Sequence, residues 1–384
     1  MVNGFFDFVR SFFGKTNSSV LGVDIGSSSI KVVQLRKQSG KAILETYGEL
    51  SLGPYGGVEV GRATNLPAEK MAEALKDLLR EANVTTRNCG VAIPISSSLV
   101  SFIRMPTRDK KQMDVMIPIE ARKYIPVPIS EVNLDWWIIP EDTSVEALRN
   151  EAVEKNSNLA NPNPAEQKMS TTEVLVVAIH NDILTKFMSV VENSGLTTTF
   201  FEIEIFSAVR ALLDQSIATQ MILDMGSSST KIYIVERGIL RSSHSINRGS
   251  QDITLAISKS MGITPEEAEQ MKKDFGVSGY KENAEVEAVV EIAIENIFAE
   301  AQRILLDYEK RYNKAVSRIV LTGGAVMLKG FLEKAKANLE TEVVPGNAFG
   351  KIETPAFFEE VIRSTGTEFA VAIGIALRKL QELG

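Results

Sequence analysis

Apolar residues along this chain recur with two different periods. Short Val- and Ile-rich runs, Val20–Val23 and Ile30–Val33, flank the polar stretch Asp24-Ile25-Gly26-Ser27-Ser28-Ser29. β-Branched runs of this length bounded by Gly and Ser read as strands, so the segment predicts strand, tight turn, strand. The same arrangement returns 200 residues later, where Met221–Leu223 and Ile232–Ile234 flank Asp224–Ser229. The two copies of D-x-G-S-S-S-x-K agree at six of eight positions. One polar turn would mean little, because Asp, Gly and Ser favour turns generally. A second copy in the same strand context predicts two lobes built on one unit, at a spacing far too long for a solenoid.

Helical spacing appears elsewhere. Pro67 suits a first helical position, and Met71, Leu75, Leu78, Leu79 and Ala82 follow on one face. A long helix is predicted from Glu285 to about Tyr312, with an apolar stripe of Val286, Val289, Ala293, Ile297, Ala301, Ile304 and Tyr308. Ile319–Thr322 then reads as a strand, Gly323-Gly324 as a turn and Gly330–Leu339 as a helix. Pro140–Thr172 is polar and contains Asn161-Pro162-Asn163-Pro164, so it reads as a long hairpin loop between strand-like runs Leu134–Ile139 and Val174–Ile179.

Strands alternating with helices over 384 residues give an α/β chain with room for two or three domain-sized units. A net charge of -7 excludes the basic footprint of a nucleic-acid binder. The single cysteine, Cys89, forbids an internal disulfide, enters an apolar run as a core filler, and suits a reducing compartment. No apolar stretch is long enough for a transmembrane helix. Near the N-terminus, Phe5, Phe6, Phe8, Val9, Phe12 and Phe13 cluster, but Asp7 and Arg10 interrupt the run, so it is no signal peptide. Docking on the protein's own body or on a partner ranks ahead of lying on a membrane, because its polar face is poor in Lys and Arg.

The paired turns carry the chemistry. A polyphosphate needs close backbone donors, which glycine permits and a turn of successive N–H groups supplies. Gly26, Ser27, Ser28 and Ser29 in one copy, with Gly226, Ser227, Ser228 and Ser229 in the other, are the candidate phosphate grips. Lys31 and Lys231 open strands, unlike the helix-opening Lys of a P-loop. Either can neutralise phosphate or face solvent; the local reading leans to a structural or solvated Lys231 and leaves Lys31 open. Asp24 and Asp224 end their strands at the same gap and suit Mg²⁺, which takes oxygen ligands and keeps several waters. Gly323-Gly324 lets a ligand approach the backbone, although many α/β proteins use such a turn for geometry alone. His180 and His244 sit in no triad or metal spacing. Of Trp136 and Trp137, one ring is expected in a core and the other at a surface.

These two turns and the later segment LTGGAVMLKGF (Leu321–Phe331) resemble the phosphate and adenosine motifs of the actin-like ATPases. Within that superfamily the chain resembles the PilM family of type IV pilus assembly proteins. The likeness rests on a Phe-rich start before VLGVDIGSSSIKVVQL, on IEARKYIPVPISEVNLDW (Ile119–Trp136), and on FFEIEIFSAVRALL (Phe200–Leu213). It implies an α/β, actin-like (ribonuclease H-like) two-lobed fold with inserted subdomains. The expected parts are a segment 1–17, a first lobe of 18–97 and 180–213, an inserted subdomain 98–179, a second lobe of 214–251 and 317–384, and its subdomain 252–316. ATP and Mg²⁺ are the implied ligands. The resemblance places Glu269 and Lys272 at ribose and adenine, although read alone they are an exposed i,i+3 ion pair. It places Gly249 near the phosphates and Glu204 roughly where relatives hold a water-orienting acid.

The implied role is an ATP-binding cytoplasmic scaffold under the inner membrane, with weak or no ATPase activity. Its implied partners are the N-terminal cytoplasmic tail of PilN, the pilus motor ATPases and the inner-membrane assembly complex, with no nucleic acid. A candidate peptide surface is Tyr124–Ile129 with Trp136 and Trp137, unless that run packs a core. The alternatives are a sugar or acetate kinase, for which no acceptor segment can be placed, and an FtsA-like cell-division protein. FtsA carries a basic membrane helix after its body, whereas Leu380–Gly384 directly follows the last predicted helix.

Overall fold

The structure is a computed structural model, described here for residues 19–106, 109–139, 172–214, 216–280, 283–355, 362 and 365–382. The Phe-rich N-terminus and nearly all of the expected loop 140–172 lie outside the described residues. In chain order the elements are β1 (Ser19–Ile25), β2 (Ser29–Gln38), β3 (Lys41–Ser51), α1 (Ala68–Glu81), β4 (Asn88–Ile93), β5 (Ser98–Met105), α2 (Lys110–Ala121), β6 (Val132–Ile138), β7 (Thr172–His180), α3 (Asn181–Asn193), β8 (Thr197–Ile203) and α4 (Glu204–Leu212). The second half continues with β9 (Gln220–Met225), β10 (Thr230–Glu236), β11 (Ile239–Ile246), α5 (Ser250–Met261), α6 (Pro265–Phe275), α7 (Ala284–Tyr312), β12 (Arg318–Thr322), α8 (Phe331–Asn338), β13 (Glu342–Pro345) and α9 (Ala370–Glu382).

The chain divides into two compact units, residues 1–95 with 186–384, and residues 96–185. The larger unit contains two sheets of one topology, β3-β2-β1-β4-β8 and β11-β10-β9-β12-β13. In each, three antiparallel strands are followed by two parallel ones. Both motif turns close identically: Asp24 pairs with Lys31 and Asp224 with Lys231 in register. The Gly26 N–H donates to the Ser29 carbonyl at 2.9 Å, and the Gly226 N–H to that of Ser229 at 3.0 Å. The repeat seen in the sequence is therefore a repeat of hairpins.

Helix α9 lies against β1 and α4 at backbone contact. Its Ala- and Gly-rich sequence allows this: a Cβ on Gly22 would stand 1.9 Å from the Ala372 carbonyl oxygen, and one on Gly374 2.0 Å from that of Ser207. Glu202 locks the same junction. It receives both guanidinium nitrogens of Arg210 at 2.7 Å and Arg378 at 2.8 Å, while Arg378 stacks 4.1 Å from the Phe200 ring centre. Burial alone would raise this carboxyl, but the Arg210 contacts outweigh it and hold it below its usual range. Cys89 is buried in this lobe, as a core filler should be.

The second core gathers around α7. Its buried face is broader than the predicted stripe, taking in Val290, Ile294, Phe298 and Leu305, while Val289 and Ala293 are only half-buried at its border. The helix is embraced by α5 and α8, so a single line of contact residues understates the burial.

The smaller unit is an antiparallel sheet, β5-β7-β6, with α2 packed on it through Met113, Ile117 and Ala121. β6 and β7 pair with Ile138 opposite Val174, so the strands that flank the long polar stretch do form a hairpin. Trp136 packs towards the core and Trp137 is 47% exposed. In the run Tyr124–Ile129, Ile125 is buried and Val127 and Ile129 pack on the core, whereas Tyr124, Pro126 and Pro128 face outwards. The run is thus half core and half surface.

Gly374 gives a clean test of the α9 junction. In an ordinary helix interior, Gly→Ala stabilises by roughly 1 kcal/mol. Here Gly374→Ala should instead destabilise by about 1–3 kcal/mol, because the new methyl meets a backbone carbonyl that cannot swing away. Urea unfolding of the two proteins decides the sign, and a gain in stability would mean that α9 does not pack this tightly.

Candidate functional site

The site grows out of the two hairpins, and every residue named in this section belongs to the larger unit. Asp24 and Asp224 lie near the ends of β1 and β9. Burial, and next the charge of Glu204, push the Asp24 carboxyl up to about 6; burial likewise raises Asp224. Glu204 is the first residue of α4 and is 5% exposed. Both of its carboxylate oxygens are engaged, Oε1 by the Ile95 N–H at 2.7 Å and Oε2 by the Lys231 ammonium at 2.6 Å.

Lys231 is therefore tied into the site by an ion pair, the structural one of the two roles that the local sequence reading leaned to. It is buried between Glu204 and, at 4.0 Å, Asp224, and these charges overcome desolvation to raise its pKa. A strand residue at the end of a hairpin looks solvent-facing only until a second lobe covers it. Lys31 is held by Glu49 at 2.8 Å and by the Ser29 hydroxyl at 2.8 Å, with Glu368 at 3.9 Å. Burial would lower it, but Glu49, Glu368 and Asp24 together raise it. Glu368 is pushed up to about 7 by burial against the pull of Lys31, with neighbouring Glu49 adding to the rise. Tyr233 lies two residues beyond Lys231 on the same strand face, fully buried, and its hydroxyl has no hydrogen-bond partner among the described residues. Burial first, and then Glu204, Asp224 and Asp24, push that phenol far above its usual value.

The turns meet each other directly. The Ser228 hydroxyl donates to that of Ser27 at 3.0 Å. Gly249 lies against the second turn, where a Cβ would stand 2.3 Å from the Ser227 carbonyl oxygen. The first N–H groups of α5 complete that contact, Ser250 to the Gly226 carbonyl at 2.9 Å and Gln251 to that of Ser227 at 3.0 Å. Gly323 has φ +92°, and its missing Cβ would fall 2.4 Å from the Met225 carbonyl oxygen and 2.7 Å from Asp224 Oδ1. Only glycine satisfies both demands. Gly324 faces the carboxyl of Glu368.

Glu269 and Lys272 form an ion pair at 2.6 Å, but a buried one, unlike the exposed pair that spacing alone suggests. Thr254 joins them, donating to Glu269 at 2.6 Å and accepting from Lys272 at 2.8 Å. A strap after β3 bridges the lobes. The Thr64 N–H donates to the Ser27 carbonyl at 2.8 Å, the Ser227 hydroxyl to the Gly61 carbonyl at 3.0 Å, and the Ala63 N–H to the Gln251 side chain at 3.3 Å.

Sequence reasoning missed Glu49, Tyr233, Thr254, Glu368 and the strap. Tyr233 was open to discovery, since strand alternation puts it beside Lys231. Glu49 faces Lys31 only once the β2–β3 register is known, and the strap has no periodic signal at all. Among the described residues no set of three or more His, Cys, Asp or Glu side chains is arranged to hold a metal by itself.

Two lobes of one topology, each presenting an Asp-x-Gly-Ser-Ser-Ser turn to the other, define the actin-like ATPase class of fold. Within it, the sequence profile of the type IV pilus assembly protein PilM matches residues 22–161 and 156–380, and the chain belongs to that family. Among solved structures, the PilM-PilN type IV pilus biogenesis complex superimposes with a TM-score of 0.77 at 22% identity, covering 95% of this chain and 99% of that one. The ethanolamine utilization protein EutJ from Carboxydothermus hydrogenoformans gives 0.52 at 17% identity, covering 94% and 89%. Among curated relatives, the cell division protein FtsA of Bacillus subtilis is 24% identical over 284 residues, 71% of this chain. That match spans 61% of the Bacillus protein's length. FtsA of Neisseria meningitidis is 23% identical over 373 residues, 87% of this chain and 86% of its own. Among the described residues no helix is long and apolar enough to cross a membrane.

The Lys31–Glu49–Glu368 cluster makes stability depend on pH. A carboxyl raised in the folded state costs stability as it ionises, so the cost is absent below its ordinary pKa and complete above its folded value near 7. Glu368→Gln should therefore stabilise the protein by on the order of 1–3 kcal/mol at about pH 8, with the gain fading by about pH 4.5. Unfolding curves at both pH values check this; an equal gain at both would remove Glu368 ionisation as its source.

Proposed function

We propose that this chain is an ATP-binding scaffold of the type IV pilus assembly platform. In this reading it binds the short cytoplasmic tail of PilN at the inner membrane and passes its state to the pilus motor ATPases. The observation that carries the nucleotide half is the pair of identically closed turns that meet at Ser27 and Ser228. Gly26–Ser29 and Gly226–Ser229 would hold the phosphates, with Gly249 behind the second turn. Glu269, Lys272, Gly323 and Gly324 would hold the ribose and adenine. The residues fit a magnesium nucleotide: Asp224 is buried and Asp24 half-buried near the ends of their strands, and desolvation raises both carboxyls above their usual range. Mg²⁺, when bound with the nucleotide, supplies charge neutralisation at the phosphates.

The chain's own residues account for the rest. Lys31 and Lys231 are held in place by Glu49 and Glu204, so they are fixed positive charges. The phosphates must part the Ser27–Ser228 contact to enter, which links binding to lobe separation. Glu204 is tied to Lys231 and to the Ile95 N–H, a structural role that supports weak or absent turnover. The partner half draws support from family membership and from the PilM-PilN complex as a structural neighbour. The outward side of Tyr124–Ile129 and exposed Trp137 supply rigid apolar and aromatic surface on the smaller unit for an extended peptide.

Melting curves with and without Mg·ATP test the central claim. At about a hundred times its Kd, nucleotide adds roughly 2.7 kcal/mol to stability. The shift should vanish in Asp24→Ala and Asp224→Ala, and steady-state turnover should stay below about 1 per second. No shift in the parent protein at millimolar nucleotide would defeat the reading.

A further inference from the structure

We propose that Arg62, carried on the strap between β3 and α1, is a phosphate ligand of the nucleotide site. The inference rests on the nucleotide reading above and adds a residue that neither motif contains. Its first support is position. Arg62 sits between Gly61, whose carbonyl accepts from Ser227 at 3.0 Å, and Ala63, whose N–H donates to Gln251 at 3.3 Å. Two residues further on, the Thr64 N–H grips the carbonyl of Ser27 at 2.8 Å. Gly61 itself has φ +85°, and a Cβ there would stand 3.0 Å from the carboxyl carbon of Glu269. The strap is thus fixed at once to the first turn, the second turn and the Glu269–Lys272 pair.

The second support is charge. Around the turns Lys31 is neutralised by Glu49 at 2.8 Å, Lys231 by Glu204 at 2.6 Å and Lys272 by Glu269 at 2.6 Å. Asp24 and Asp224 remain as further carboxyls. A triphosphate entering this setting meets three lysines already paired and further carboxylates, so an additional unpaired cation on the strap would favour its binding.

The third support is the side chain itself. Among the described residues Arg62 Nε is buried without a hydrogen-bond partner, and no carboxylate pairs with the guanidinium. Folded proteins rarely leave a buried charged donor unmatched. The planar guanidinium fork matches phosphate oxygens, and an arginine held half-buried by its strap is pre-organised for them.

The test measures binding of Mg·ATP and of adenosine by calorimetry, for the parent protein, Arg62→Ala, Arg62→Gln and Arg62→Lys. Arg80→Ala, an exposed change on α1, controls for loss of one positive charge. Arg62→Ala and Arg62→Gln should weaken Mg·ATP about 10- to 100-fold while leaving adenosine unchanged, with part of the loss restored in Arg62→Lys. Without nucleotide both neutral variants should melt no lower than the parent, since an unmatched buried donor has been removed. Equal loss of ATP and adenosine, or a lowered melting temperature in both neutral variants, would make Arg62 a structural residue and overturn the proposal. So would unchanged ATP affinity, or a loss in Arg80→Ala as large as at Arg62. If the parent protein binds neither ligand, the nucleotide reading itself falls, and this inference with it.

Discussion

Charged groups at the ends of β1 and β9 lose most of their water, and the rest of the cleft is arranged around that loss. Asp24, Asp224 and Glu204 are carboxyls within one buried region, and Lys31 and Lys231 are the ammonium groups placed among them. A buried ion pair seldom recovers its full desolvation penalty unless geometry and extra hydrogen bonds are good. Here the extra bonds exist for some members and not for others. Glu204 has a backbone donor and Lys231; Lys31 has Glu49 and a serine. The two aspartates have the lysines only at longer range, and Tyr233 faces them without a partner of its own. The unmet electrostatic demand falls on Asp24, Asp224 and Tyr233, the first two being the residues proposed to face a metal and phosphates.

Duplication explains how such an arrangement can be built without special loops. Each lobe repeats one hairpin, with the same Asp–Lys register and the same glycine N–H closing the turn. Two copies brought face to face double every feature, including the acids, and so concentrate like charge. The differences between the copies are then the functional ones. The first lobe adds Glu49 and Glu368 around Lys31; the second receives Glu204, donated from the first lobe's own helix α4, onto Lys231. That last contact is an ion pair between the lobes under the turns.

Much of this was legible in the sequence because it depends on local chemistry. The strand–turn–strand repeat, the long helix after Asn283, and the strand ending at Thr322 before Gly323-Gly324 all follow from periodicity and turn residues. Strand runs that are apolar at every position, such as Val20–Val23, announce burial on both faces, and that is where the cores lie. What stayed hidden depends on contacts between distant segments. Lys231 read as structural or solvated, with no partner to name, because nothing near it in sequence pairs with it; Glu204, 27 residues upstream, does. Glu269 and Lys272 read as an exposed pair for the same reason, since Thr254 and the strap bury them from another element. The width of the α7 face was underestimated because two helices, not one, pack on it.

The strap closes the argument about how binding can be felt elsewhere. In this structure the lobes touch along a line that runs from Ser27–Ser228, through Gly61–Ser227 and Ala63–Gln251, to Gly61 against Glu269. These are hydrogen bonds between neutral groups for the most part, each worth only about 1 kcal/mol net. A nucleotide that brings a triphosphate and a metal offers stronger, charge-assisted partners to the same donors. In the proposed nucleotide complex, exchange of one set for the other would require the turns to move apart, because Ser228 cannot donate its one hydroxyl proton to Ser27 and to phosphate at once. Against that motion stands the α9 junction, where Gly22, Gly374 and the Glu202 cluster hold the first lobe rigid. A stiff body on one side and weak, replaceable contacts on the other confine the change to the interface between lobes. That is the property a scaffold needs if an occupied and an unoccupied cleft are to present different surfaces to a partner.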